Sequence, residues 1–374
     1  MAERSFSLTD CFAHVEDPRV ERTKLHLLED ILALTICAVI CGADTFVAVE
    51  QFGRAKHEWL KGFLKLPNGI PSHDTIGDVL ARIDPKAFEQ GFLDWVRGIA
   101  ELTEGEVVAI DGKHLRRSYD RASNKAAIKM VGAWAAENHL ILGQAKIDDN
   151  ANEISTIPKL LSVLDVTGCI VTIDAVGCQR AIAEQIRDQG ADYVLSLKDN
   201  QEGLHDEVAY LFKRLAEQDY RGCDRHQTLD GEHGRIEQRR GYALEIADRG
   251  LLDTEGWADL RSVLLVESER SLGAKTSLEQ RLFITSLAAD AQRLMQAVRC
   301  HWHIENQMHW VLDVAFSEDA SRIRKDHAPE NMATVRRMAL NLLRQEKSLK
   351  VGIANKRLRA GWDEAYLRKI IQQI

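Results

Sequence analysis

The 374-residue chain has only 6 prolines, and its 24 glycines follow no repeat, which excludes a collagen-like rod or a proline-rich spacer. Cysteine is sparse and odd in number. The seven are Cys11, Cys37, Cys41, Cys169, Cys178, Cys223 and Cys300, with no CxxC pair among them. Neither a zinc ribbon nor a disulfide framework is expected, and the pattern suits free thiols in a reducing compartment. Long hydrophobic runs are missing. The longest, Ile31 to Cys41, is broken by Thr35 and falls short of the roughly 20 apolar residues that cross a bilayer. The opening MAERSFSLTDCFAHVEDPR has no apolar segment, so the expectation is a cytoplasmic protein with no secretion leader and no membrane partner. A basic excess is also absent. The net charge of −8 excludes a uniformly basic nucleic-acid coat but not a local basic surface.

The composition that is present, 45% hydrophobic and 28% charged, is that of a globular protein. At roughly 100–200 residues per domain it suits two or three domains. Charge is uneven: residues 321–374 hold 13 Lys or Arg against 5 Asp or Glu, a net of +8, which leaves −16 for residues 1–320. An acidic body with a basic end suits a protein that holds metal cations in one place and phosphates in another. A solvated basic helix pair would give the same count.

Periodicity predicts helices over the first 104 residues. One starts near Glu29 and Asp30 and ends by Gly42; one runs from 47 to 64; one is capped by Ser72 or Asp74; one runs from 86 to 102 after Asp84-Pro85. A packed bundle is the commoner meaning of this pattern, although a DNA-reading helix-turn-helix would look similar. At Gly105 the period changes. VVAIDGK, MVGAWAAE and LILGQAKID read as strands, the last two joined by an Asn138-His139 turn. Then follow a helix at 153–164, the strand GCIVTIDAVG, a helix at 178–189 and the strand ADYVLSLKDN. A charged helix spans 201–218, RRGYALEIA, LRSVLLVESER and QRLFITSL read as strands, and DGEHGRIEQR reads as a turn. Helix returns from Ala291 to Leu312, at 329–346 and at 362–372.

Two acids end buried strands: Asp111 in AIDGK and Asp174 in TIDAVG. An unpaired buried charge costs several kcal/mol, on the order of 3–5 when a partner is missing, so each acid is a poor core filler. If their strands are parallel neighbours, the two carboxylates lie side by side and call for a hard divalent cation such as magnesium. Either alone could equally cap the turn that follows it. The third feature is RCHWHIENQMHWVLDVAFSED, where His301, Glu305, His309 and Asp313 recur every four residues, with Trp302 and Trp310 beside them. A zinc site of His301, Glu305 and His309 is a rival reading, awkward because one helical turn rises about 5.4 Å. The two tryptophans could stack on an unpaired base, with core packing expected for at least one.

Eight segments, in order, carry a family resemblance: HLLEDILALTICAVICGADTF, NGIPSHDTIGDVLARIDP, VVAIDGKHLRRSYD, NEISTIPKLL, TIDAVGCQ, DYVLSLKDNQ, HGRIEQRR and HWHIENQMHWVLDVAFSED. The chain resembles insertion-sequence transposases of the H-repeat-associated type, which carry an Asp-Asp-Glu site on a ribonuclease H-like fold. The resemblance implies an α/β architecture: a helical N-terminal domain (1–104), a ribonuclease H-like mixed-sheet catalytic domain (105–320) with a β-rich insertion at about 200–290, and a basic helical C-terminal segment (321–374). It implies Asp111, Asp174 and Glu305 as catalytic residues holding two Mg2+ or Mn2+ ions. It also implies double-stranded DNA (element ends and target) as partner, a homodimer on DNA because two ends must meet, and a bacterial cytoplasmic protein at the nucleoid when active. The chain departs from the wider group's Tyr-Arg-Glu-Lys signature: His301 stands where Arg is expected and Leu312 where Lys is expected. Phosphate contacts are therefore expected from Lys198, Arg235, Arg299 and His301. Lys113, Arg116 and Arg117 just after the first Asp, and Arg322, Arg324, Lys325, Arg336 and Arg337 in the basic end, are the further DNA-backbone candidates. The implied reaction is metal-dependent DNA cleavage and strand transfer. A same-fold nuclease and a noncatalytic DNA-binding relic are the alternatives.

Overall fold

The structure, a computed structural model, describes residues 12–119, 126–232, 235–246, 252, 254–272 and 275–371. The N-terminal helices are α1 (Leu28–Ile40), α2 (Phe46–Ala55), the short α3 (His57–Leu60), α4 (His73–Arg82) and α5 (Pro85–Ile99). The single helix expected over 47–64 is thus two, the backbone leaving the helical region at Lys56 (φ −110°, ψ 18°). Side chains of Thr45, Ser72 and Asp84 accept from the backbone N–H groups of Ala48, Thr75 and Lys86, which satisfies donors that a helix start leaves open. Asp30 does more than favour the α1 dipole. It is buried and accepts from the N–H groups of Lys65 and Leu66 at 3.2 and 2.7 Å, pinning the chain after α3 onto α1.

The strands are β1 (Val107–His114), β2 (Lys129–Ala135), β3 (Leu140–Lys146), β4 (Ile170–Ile173), β5 (Asp192–Leu197), β6 (Asp224–Glu232), β7 (Arg235–Glu245), β8 (Ser262–Leu272) and β9 (Lys275–Thr285). They form one nine-stranded sheet in the order β3-β2-β1-β4-β5-β9-β8-β7-β6. β1, β4 and β5 run parallel, while β2 and β3 form an antiparallel meander beyond β1. Helices α6 (Glu153–Leu161) and α7 (Arg180–Asp188) make the crossovers that parallel neighbours require. This is the ribonuclease H-like mixed sheet the resemblance implies. The insertion is not a separate sheet: β9 pairs antiparallel with β5 (Leu195 opposite Ile284) and carries β8, β7 and β6 outward. DGEHGRIEQR, expected as a turn, is mostly strand, with β6 running to Glu232 and β7 starting at Arg235; residues 233–234 lie outside the described residues.

After β5 come α8 (Glu202–Ala216) and, beyond the insertion, α9 (Ala291–His303), a π turn (Ile304–His309) and α10 (Trp310–Phe316). The C-terminal end holds α11 (Ala328–Gln345), α12 (Ile353–Trp362) and α13 (Glu364–Ile371), of which α12 falls outside the expected helices. α11 buries fifteen of its eighteen residues and packs on α1, α4, α5 and β3. A helix enclosed nearly all round belongs to a core even though it carries polar residues, so this end is not a solvated basic pair. Asn341 closes the sheet edge: its amide accepts from Ile141 N–H at 2.9 Å and donates to Ile141 C=O at 3.0 Å. Arg336 and Arg337 are buried: Arg336 donates to the Ser321 hydroxyl and Arg337 to Glu318 and the Ala333 carbonyl, all at 3.0 Å, so the expected exposed backbone contacts are instead internal ones. Among the described residues, no helix is long and apolar enough to cross a membrane.

Candidate active site

The parallel pairing of β1 with β4 ends at Ile110 opposite Ile173. Asp111 and Asp174 are the next residues on each chain, so the strand register itself brings them to one sheet end. Asp174 also caps its turn, accepting from the Val176 N–H at 3.0 Å. Both acids, with Glu305 and His301, line a cleft of about 870 Å³.

Glu305 arrives from the opposite wall on the π turn. An α-helix would keep His301, Glu305, His309 and Asp313 in one stripe, but i→i+5 bonding adds a residue to the turn and splits it. His301 Nδ1 lies 3.1 Å from the Thr172 hydroxyl, and Asp313 takes a 2.6 Å bond from Lys113. Glu305 and His309 meet Asp111. One ligand atom from each of these three lies within 4.8 Å of the others, the single such cluster among the described residues. His309 Nδ1 stands 3.6 Å from Asp111 Oδ2 and 3.5 Å from Glu305 Oε2, beyond the roughly 2.7–3.2 Å of a direct N–H···O bond. The rival zinc set is not the one that converges, because His301 turns away to Thr172.

The charges are strained. Burial, then the neighbouring Glu305, pushes the Asp111 carboxyl well above its usual range, with Asp174 adding to the push. Glu305 is held low, chiefly by the His309 ring and against burial. The two carboxyls therefore titrate as a pair, with burial and like charge favouring a shared proton. His301 is lowered by burial and so tends to stay neutral. Glu153, at the start of α6, is raised by burial and by the Asp174 charge.

The basic candidates divide. Lys198 is exposed on the cleft wall, and the cleft is also lined by Lys213 and Arg281. Lys113 is buried: beside Asp313 it donates to the His309 carbonyl at 3.2 Å and lies 3.7 Å from Glu318. Arg116 is exposed but pairs with Asp319 at 3.1 Å, and Arg299 pairs with Asp230 at 2.8 Å. The Arg117 carbonyl takes a 3.0 Å bond from Arg324, whose guanidinium lies over Tyr119. Arg322, Arg324 and Lys325 line a second groove beside α2 and α4, with Lys325 paired to Asp78. Arg235 opens β7, and its side chain lies outside the described residues. Trp302 and Trp310 are 46% and 60% exposed, so neither is the core filler expected of at least one of them; Arg281 stacks over Trp302 at 4.9 Å. Sequence reasoning missed His309 as a partner of Asp111, Glu153 beside Asp174, and the cleft cations Lys213 and Arg281. Only His309 had a signal, its place in the four-residue stripe.

The chain has relatives among known proteins. Residues 102–342 match the family described as Transposase DDE domain, and residues 9–96 match the family described as DDE_Tnp_1-associated. The chain is 40% identical over 368 residues to the "Putative transposase YncI" of Escherichia coli O157:H7, covering 98% of this chain and 94% of that one. It is 38% identical over 352 residues to the "H repeat-associated putative transposase YhhI" of Escherichia coli K12, covering 92% of each. Among solved structures it is similar to the piggyBac transposase synaptic complex with hairpin DNA, at 10% identity and a TM-score of 0.43, covering 94% of this chain and 75% of that one. The chain belongs to the DDE transposase family.

Proposed function

We propose that this chain cuts double-stranded DNA at the ends of an insertion element and joins the freed 3′ hydroxyl to target DNA, with Asp111, Asp174 and Glu305 carrying the reaction. The observation that supports this most is the meeting of Asp111 and Glu305, which reach one cleft from elements far apart in sequence. The donor set fits Mg2+ or Mn2+: hard carboxylate oxygens, two of them so crowded that they keep a proton without a cation. Asp111, Asp174 and Glu305 would hold the ions, two in number, which would supply charge neutralisation for in-line displacement at phosphorus.

The chain's own residues then have distinct tasks. Lys198, Lys213 and Arg281 draw the anionic backbone to the acidic floor of the cleft. His301, fixed by Thr172, stands beside Asp174 as a neutral hydrogen-bonding group rather than the cation usual at that position. Arg116, Arg117, Arg322, Arg324 and Lys325 make the further backbone contacts. In each step the bond from phosphorus to the leaving 3′ oxygen breaks as the bond to the attacking oxygen forms. Water attacks first, at the element end; the freed 3′ hydroxyl attacks next, at the target. Two chains pair on DNA to bring two ends together.

The test is incubation with candidate end DNA and Mg2+, followed by mapping of nicks, and then joining of pre-cleaved ends. Wild-type protein should do both, while Asp111→Asn, Asp174→Asn and Glu305→Gln should do neither and keep the native circular dichroism. Cutting without joining would leave a nuclease. Full activity in any of the three variants would refute the assignment.

A further inference from the structure

Lys113 lies two residues past Asp111 on β1, so both side chains leave the same face of the strand. It follows the first catalytic Asp as a phosphate-binding residue could, yet its side chain is only 7% exposed. Its Nζ is taken up by the protein: Asp313 Oδ1 at 2.6 Å, the His309 carbonyl at 3.2 Å and Glu318 Oε2 at 3.7 Å. His309 is the last residue of the π turn, where bonding changes from i+5 back to i+4, and Asp313 lies just beyond it on α10. The ammonium therefore ties the first acidic strand to the turn that delivers Glu305. A second contact seats the same turn. Met308 lies over Gly132, the residue opposite Asp111 on β2, where a Cβ would come within 2.7 Å of the Met308 methyl.

We propose that Lys113 is a positioning residue, which fixes the π turn so that Glu305 and His309 face Asp111 and thereby sets the site's affinity for a divalent cation, touching neither cation nor DNA. This rests on the reading of Asp111 and Glu305 as cation ligands. A π turn is an irregular element that needs such support, and partners of this kind behind metal ligands are worth about 10–100-fold in metal affinity when removed.

The experiment is titration of the metal-free full-length protein with Mn2+, followed by the loss of the free-ion signal in electron paramagnetic resonance. Wild type should bind and Asp111→Asn should lose that binding, locating it. Lys113→Met should bind about 10–100-fold more weakly. Asp313→Asn, altered at a part-exposed position that does not threaten folding, should weaken binding in the same direction. The double variant Lys113→Met/Asp313→Leu leaves no unpaired Asp313, so it should recover melting temperature without recovering Mn2+ affinity, which a purely structural role would not produce. Wild-type Mn2+ affinity in folded Asp313→Asn and in the double variant overturns the proposal alone. Wild-type protein that binds no Mn2+, or an Asp111→Asn variant that binds as wild type, overturns the cation reading and this proposal with it.

Discussion

Arg337→Met separates two meanings of the basic C-terminal end. Arg337 and Glu318 form an ion pair at 3.0 Å with side chains 1% and 0% exposed. Burial pushes the Glu318 carboxyl up, but the charges of Arg337, Lys113 and Arg336 outweigh it and hold the group ionised. Removing Arg337 leaves a buried carboxylate with a weaker partner, Lys113 at 3.7 Å. Loss of one member of a buried pair costs about 3–5 kcal/mol, and the remaining cations place this case at the lower end, about 3 kcal/mol. Urea unfolding should show that loss. Glu318→Leu/Arg337→Met, which removes both charges, should unfold within about 1–2 kcal/mol of wild type. DNA affinity measured against salt should keep its slope, because Arg337 reaches no phosphate. If Arg337 were a backbone contact, stability would hold and the slope of log K against log salt would shrink by about 0.9. That pair of results would refute the buried-pair reasoning.

Gly132→Val should cost about 1–3 kcal/mol by overpacking against Met308, and should weaken Mn2+ binding by displacing the π turn. Asp111→Asn should stabilise the metal-free protein in a direction set by its raised pKa. The folded state holds the Asp111 proton more tightly than the unfolded state does, so wild type loses stability as pH rises above the ordinary 3.8. The variant's advantage in melting temperature, measured in chelator, should vanish near pH 4, grow toward neutrality and reverse when Mg2+ is added. Glu50→Gln tests a second linkage. His73 donates to Glu50 at 2.6 Å and holds its carboxyl down at about 2, while Glu50 raises His73 above its usual 6.5. The Glu50 contribution is present above pH 4.5 and lost as pH falls toward 2; the His73 contribution is present below 6.5 and lost as pH rises past it. The stability difference between wild type and Glu50→Gln should therefore be largest between those two values. A difference that does not change with pH would show that the pair is not formed in solution.

Strands β1, β4 and β5 were legible because buried parallel strands read as short β-branched runs, and Asp111 and Asp174 mark where the β1–β4 pairing ends. The cap at Ser72 was legible for a similar reason, since a local side chain meets a local N–H. Two features resisted. DGEHGRIEQR is rich in turn residues yet runs in strand, because pairing along β6 and β7 outweighs local preference. The basic count of residues 321–374 suggested a solvated surface, but charge counting does not see that α11 is enclosed by α1, α4, α5 and β3. Arg336 and Arg337 become buried only through that enclosure.

The site shows the same division between local and distant causes. Asp111 and Asp174 follow from strand register, whereas the tie of Lys113 to Asp313 spans 200 residues and depends on a π turn that no period in HWHIENQMHW announces. The departure from the family's Arg and Lys has a physical consequence in turn. Leu312 is fully buried and His301 is bonded to Thr172, so the Glu-bearing helix offers no cation at either position. The cations that line the cleft come from the other wall: Lys198 after β5, Lys213 on α8 and Arg281 on β9. On the proposed function, holding the phosphate backbone has passed from the helix that carries Glu305 to the insertion and the segment that leads into it. The insertion is then part of the active site, which accounts for its strands continuing the catalytic sheet through β5 and β9 rather than folding apart from it.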